Sequence, residues 1–229
     1  MSIDKSFRIT TLYASAFGTP SIVRALVAGC LSMVIQSWAG SNALFFYSTS
    51  IFQEAGFSDD ACSVLNCLLM ITNWLACIVA MFSVNMFGRV PLMFWSVVVQ
   101  GISCGLQTLT MSFPTVPWIN TLSLFPMFIF MIGMELGAGT IPWMLATEYV
   151  PIRYKAVMAS FVGATTNLCA FVISLIFPLL QDVMAQYAFL IFVVVCIISG
   201  VWVQTRMVES KGRTVEEVQA IFASRTGWI

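Results

Sequence analysis

Histidine is absent from this chain of 229 residues, and charge is scarce: Asp, Glu, Lys and Arg together make up 9%. With no imidazole and no paired acid motif, the sequence offers no obvious general base, which disfavours an enzyme. Seven cysteines are present, at Cys30, Cys62, Cys67, Cys77, Cys104, Cys169 and Cys196. No pair has the spacing of a zinc site or a disulfide framework, so neither a metal nor any other cofactor is expected. The formal net charge is +0, which implies no polyanionic partner and no nucleic-acid surface. The first 21 residues include Asp4, Lys5, Arg8, Gly18 and Pro20 and are too polar for the apolar core of a cleaved signal peptide.

Apolar sequence is what the chain has in abundance. Hydrophobic residues account for 59% of it, and the mean hydropathy is +0.93. Six runs are long enough to cross about 30 Å of hydrocarbon as helix: Val23–Tyr47, Ser63–Val84, Pro91–Thr110, Leu122–Leu145, Val157–Leu179 and Ala185–Gln204. They lack the alternation of barrel strands. Lipid offers the backbone no hydrogen-bond partner, so an all-α polytopic membrane protein with six transmembrane helices is predicted.

The ten Lys and Arg residues sort with this topology. Lys5, Arg8 and Arg24 precede or open the first span, and Arg89 lies between the second and third. Arg153 and Lys155 fall between the fourth and fifth, and Arg206, Lys211, Arg213 and Arg225 follow the sixth. The alternate connections carry Glu54, Asp59, Asp60 and Asp182, with no base. Cytoplasmic loops are enriched in Lys and Arg, so both termini and the basic loops are assigned to the cytosol. The expected organisation is a cytosolic segment over 1–21, a six-helix half-bundle over 22–205 and a cytosolic tail over 206–229. Within the tail, Val215, Val218, Ile221 and Phe222 form one face of a short helix, with Thr214 as N-cap and Glu217 three residues on.

The polar residues inside the spans are few, and polar groups in hydrocarbon usually face a bundle interior or a watery cavity. Gln36, Ser37, Ser41 and Asn42 surround Gly40 in the first span. Loosened helix offering amides to a ligand and simple interhelical bonding remain two open readings there. Asn73 in the second span has the same two readings. Glu135, Gly137, Gly139, Pro142 and Trp143 form the most unusual cluster. Two glycines and a proline weaken helix regularity, and a carboxylate in such a place is a functional candidate. Trp143 offers a flat apolar face and one donor, which suits a sugar ring and equally an interfacial aromatic belt. Gly88, Arg89, Glu148, Arg153, Lys155 and Glu209 lie near helix ends on the basic side, where they are either topology anchors or a charge latch.

Together these motifs resemble the sugar porter family of the major facilitator superfamily. Gln36 to Phe52 reads QSWAGSNALFFYSTSIF, similar to the family's QQLSGINAVFYYSTSIF. Gly88-Arg89 resembles GRR, Ile141-Pro142-Trp143 resembles PIPW, and Glu148 through Lys155 resembles E-x-F-P-x-R-x-R. The run from Val208 to Thr214, VESKGRT, is similar to PETKGRT. The order and spacing are those of the second six-helix half of a twelve-helix fold. The resemblance implies transport of a hexose or polyol by alternating access, in the plasma membrane, with the lipid bilayer as surroundings. It implies that Gln36, Asn42, Asn73, Glu135 and Trp143, with Ser37 in place of the family's second Gln, line the sugar site. Arg89, Glu148, Arg153, Lys155 and Glu209 would belong to a cytosolic charge network. The chain departs from the family at Phe46, Asn85 and Val90, at Ala138 and Thr140 in place of two prolines, and at Thr166 and Ala170 in place of Asn. One half of the fold leaves open a truncated form, a second transporter half or homo-oligomer as partner, or a non-transporting sugar receptor. Epitope tags in the turn at 87–91 and at the C-terminus are expected on the same membrane face; protease protection of only one of them would overturn the topology.

Overall fold

The computed structural model describes residues 13–112, 122–184 and 187–224. Lys5, Arg8, Arg225 and most of the segment 1–21 lie outside the described residues, as does the side chain of Glu54. Among the described residues, six helices are long and apolar enough to span a bilayer. The first consists of α1 (Pro20–Gln36), a π-helical turn (Ser37–Ser41) and α2 (Asn42–Glu54). Next come α3 (Asp59–Phe87) and α4 (Arg89–Met111). The fourth repeats the interrupted form: α5 (Leu124–Met134), a π-helical turn (Glu135–Gly139) and α6 (Ile141–Glu148). A 3-10 turn (Ile152–Tyr154) leads into α7 (Lys155–Met184), followed by α8 (Ala188–Arg206) and the short α9 (Val215–Ser224).

Several helices outrun the apolar windows that predict them. At about 1.5 Å per residue, the 29 residues of α3 exceed the hydrocarbon thickness by about two turns. The extra turns have local causes. Ser58 accepts the Ala61 N–H at 3.4 Å, and Asp59 and Asp60 sit in the first turn, where the helix dipole favours negative charge. Pro20 stands at the start of α1, where its missing N–H costs nothing. In α9 the Glu217 N–H donates to Thr214 Oγ1 (3.3 Å) and the Thr214 N–H to Glu217 Oε2 (2.9 Å), the capping box expected from the sequence.

The bundle packs in two tiers. One apolar cluster, at the basic end, gathers Ala25, Val84, Met93, Leu145, Tyr149, Met158 and Phe222. The other gathers Phe52, Leu69, Met127, Phe130, Phe177 and Phe192 at the opposite end. The boundary crosses both π turns: Ala39 and Ala138 belong to the first cluster, Ala43 and Met134 to the second. α4 packs against α8 and α5, α1 against α7, and α9 beneath α1. Helices α3 and α7 are the least buried of the six spans. Large side chains such as Trp74, Phe82, Phe171 and Leu179 are exposed along them.

Gly40 lies in the first π turn with φ 107°, a conformation open to glycine. A Cβ there would stand 3.2 Å from Phe192 Cγ. Gly40→Ala is therefore expected to destabilise the bundle by about 1–3 kcal/mol, read as a lower midpoint of thermal unfolding in detergent.

Candidate functional site

The two π turns shape the middle of the bundle. A π turn breaks the regular ladder and leaves backbone groups that hydrocarbon cannot satisfy. Here hydroxyls five residues on take the exposed carbonyls. Ser41 Oγ donates to Gln36 O at 2.6 Å, and Thr140 Oγ1 to Glu135 O at 2.9 Å. The residues whose carbonyls are held in this way, Gln36 and Glu135, are two of those singled out in the sequence. The breaks fall in the first and fourth spans, three spans apart, the kind of matched interruption that marks binding sites in repeat-built transporters.

Side chains converge on these turns from three spans. Asn73, near the middle of α3, donates through Nδ2 to Glu135 Oε1 at 2.8 Å and lies 3.1 Å from Met131 Sδ. Glu135, which has no obvious partner in the sequence, thus has an amide donor 62 residues away. A Cβ on Gly139 would lie 2.8 Å from Glu135 Oε2, so the glycine leaves the carboxylate its room. Gln36 Nε2 reaches Gly139 O at 3.4 Å. Gln36, Gly139, Glu135 and Asn73 thereby form one contiguous polar layer. Gln36 Oε1 and Asn42 Nδ2 are buried atoms with no hydrogen-bond partner among the described residues. Ser37 is buried within its π turn, and Trp143 stands on α6, 47% exposed as a residue, with no hydrogen bond to the others among the described residues. An amide can donate to and accept from a hydroxyl, so this layer offers both functions to a polyhydroxylated ligand.

At the basic end a second constellation forms. Arg89 grips Glu148 in bidentate fashion, Nε to Oε2 at 3.1 Å and Nη2 to Oε1 at 2.6 Å, a geometry that outranks an ordinary surface pair. Ser210 Oγ donates to Glu148 Oε2 at 2.5 Å. Glu209 accepts three backbone N–H groups: Arg89 (3.0 Å), Val90 (2.9 Å) and Lys211 (2.9 Å). It caps the N-terminus of α4, where a carboxylate is favoured. Gly88 makes the approach feasible, since a Cβ there would meet Glu209 Oε2 at 2.9 Å. Lys211 Nζ donates to Met86 O at the end of α3 (2.7 Å). Arg153 stands 5.7 Å over the Tyr154 ring, and neither it nor Lys155 joins an ion pair among the described residues. Of the five charged candidates, Arg89, Glu148 and Glu209 are therefore brought together and Arg153 and Lys155 are not.

Several participants escape the sequence reading. Ser210 and Tyr149, whose hydroxyl donates to Val208 O at 2.6 Å, belong to the basic-end network. Asn66 Nδ2 donates to Thr49 Oγ1 at 2.8 Å, joining α3 to α2. Ser96 and Gln100 on α4 are buried at 3% and 0% exposure, and Ser96 Oγ accepts the Ala138 N–H at 2.9 Å. Their signal is a row of polar residues at Ser96, Gln100, Ser103 and Gln107, spaced by four, three and four along an apolar helix. On α7, Thr166 and Asn167 turn back to carbonyls of their own helix.

Comparison with known proteins agrees with this architecture. Residues 2–222 match the family model described as "Sugar (and other) transporter". The chain is 29% identical over 214 residues to the glucose transporter GlcP of Staphylococcus epidermidis, covering 91% of this chain and 47% of that protein. It is 32% identical over 204 residues to the sugar transporter ERD6-like 11 of Arabidopsis thaliana, covering 86% of this chain and 42% of that protein. It is 25% identical over 207 residues to the facilitated glucose transporter member 2 of Gallus gallus, covering 90% and 38%. The chain thus spans less than half the length of these relatives. Among solved structures, the proton:xylose symporter XylE bound to 6-bromo-6-deoxy-D-glucose superposes with a TM-score of 0.76 at 20% identity, covering 86% of this chain and 42% of that one. The inward-open xylose transporter XylE from E. coli gives 0.73 at 20%, covering 87% and 42%. That likeness shows the fold, one six-helix half of the major facilitator architecture. With its six spans, its two matched breaks and a family match over nearly its whole length, the chain belongs to the sugar transporter family.

Proposed function

We propose that this chain forms one wall of a membrane passage for a hexose or polyol. The observation that carries the reading is the continuous layer Gln36–Gly139–Glu135–Asn73, set between two apolar tiers and built on two interrupted spans. Gln36, Asn42, Asn73 and Glu135 contact sugar hydroxyls, Ser37 lies behind them, and Trp143 packs against the ring. Transport proceeds by alternating access, this half rocking against a second six-helix half across the layer. The basic end faces the cytosol with both termini, and the plasma membrane is the site of action. The segment 1–21 and the tail from 206 flank the half-bundle on that side. Arg89, Glu148 and Glu209 latch the helix ends of α4, α6 and the tail in one of the two conformations, with Arg153 and Lys155 joining as the helices move. What supports this is the charge asymmetry of the loops, the family membership and the chemistry of the amides.

Glucose uptake into proteoliposomes that hold this chain together with a second six-helix half tests the site. Gln36→Ala removes one bonding amide, and at about 0.5–1.5 kcal/mol per hydrogen bond the apparent affinity falls about two- to tenfold. Trp143→Ala is expected to abolish measurable uptake. Unchanged uptake in both variants, at equal amounts of reconstituted protein, rejects these assignments. Binding without flux would instead make the chain a receptor. For the latch, Arg89→Ala and Glu148→Ala are each expected to slow uptake, and the double variant to be no slower than the worse single one. Additive losses would show that the pair does not act as a unit.

A further inference from the structure

A neighbouring helix reaches into the second π turn. In a regular α-turn the Ala138 N–H would donate directly to Met134 O. Here it donates to Ser96 Oγ of α4 at 2.9 Å, and the same hydroxyl lies 3.5 Å from Met134 O as its donor. Ser96 thus stands between a donor and an acceptor that helical geometry would join, and insertion of a side chain into the ladder is a known origin of helix irregularity. Gln100, one turn on, holds the hydroxyl in place: its Nε2 donates to Ser96 Oγ at 3.1 Å and to Ser96 O at 3.3 Å. Space for the insertion comes from Gly137. A Cβ at that position would lie 2.5 Å from Ser96 Cβ and 2.5 Å from Leu92 O, so only glycine lets α4 approach so closely. Both polar side chains are buried, where a hydroxyl and an amide are costly without such bonds.

We propose that Ser96, steadied by Gln100, is a positioning residue for ligand recognition: by splicing its hydroxyl into the backbone between Met134 and Ala138 it keeps the turn open and aims Glu135 at Asn73. The turn begins at Glu135, so closing it to a regular helix rotates the carboxylate relative to α3 and to everything beyond Gly139. The 2.8 Å bond from Asn73 exists because the turn is open. The ligand part of this inference rests on the sugar-site reading above, while the backbone part does not.

The test uses the full chain in lipid nanodiscs and two readouts. The first is the infrared carboxyl band of Glu135, identified by its loss in Glu135→Gln, with Asn73→Leu as the reference for a carboxyl deprived of its amide partner. Ser96→Ala is expected to move the band to the Asn73→Leu position, and Gln100→Leu to move it part of the way. Ser96→Thr, which keeps the hydroxyl, is expected to retain the wild-type band. A folded Ser96→Ala and a folded Gln100→Leu that both keep the wild-type band would overturn the proposal. Should Ser96→Ala not fold, Gln100→Leu decides alone. The second readout is glucose affinity, expected to fall about two- to tenfold in Ser96→Ala, the loss of one hydrogen bond to the sugar. If the wild-type chain binds no glucose, the sugar-site reading fails while the band still decides the role of Ser96.

Discussion

No turn of helix can be opened inside hydrocarbon unless its amides and carbonyls find partners close by, and the middle of this protein is organised by that requirement. Both interrupted spans meet it with hydroxyls. Ser41 and Thr140 reach back to the carbonyls of Gln36 and Glu135, and Ser96 reaches across from α4 to Ala138. Each bond stabilises a local geometry that apolar packing alone would straighten. The breaks also divide the interior. Above and below them the cores are aromatic and aliphatic, and between them runs the only layer in which Gln36, Asn73 and Glu135 approach one another among the described residues. Enclosed by two apolar tiers, the layer is nevertheless only half-buried at Gln36, Asn73 and Glu135.

Much of this was legible from residue order. Twenty-residue apolar runs predict spans, because the bilayer fixes the length of chain that must be apolar. The Gly40 neighbourhood and the Glu135–Trp143 cluster predict irregular helix, because glycine and proline withdraw support from the ladder. The Thr214–Glu217 box declares itself by spacing. The pairings were not legible. Asn73 and Glu135 are 62 residues apart, Ser96 and Ala138 are 42 apart, and nothing in one sequence says which face of one helix meets which face of another. Charge was uninformative about contact: Arg89 and Lys155 carry the same positive charge, yet of the two only Arg89 meets a carboxylate among the described residues, because Glu148 ends the helix beside it. Helix ends also ran beyond expectation, since caps such as Ser58 extend a helix past its apolar stretch.

Replacement and compensation meet in the second π turn. The resemblance places proline at positions 138 and 140, and proline has no N–H to satisfy. This chain has Ala138 and Thr140 there, and each brings a donor that must be used. Ala138 donates to Ser96, and Thr140 donates its N–H to Gly137 O (3.2 Å) and its hydroxyl to Glu135 O. Conformational restriction by a ring is thus exchanged for restriction by hydrogen bonds, at the same place in the fold and around the same glutamate.

The basic end holds its tail by more than charge. Arg24 of α1 donates to Phe222 O (2.8 Å) and Ala223 O (3.1 Å), neutralising the free carbonyls at the end of α9. Gln219 bonds Tyr149 O, and the Phe222 ring packs on Tyr149 at 5.1 Å between centroids. Glu209 and Lys211 fasten the segment before α9 to α4 and α3. A fluorophore or fusion partner appended after Ser224 is therefore not hung from a loose string: it is bolted to four helices, and any movement of those helices during a working cycle would be broadcast directly to the attached reporter.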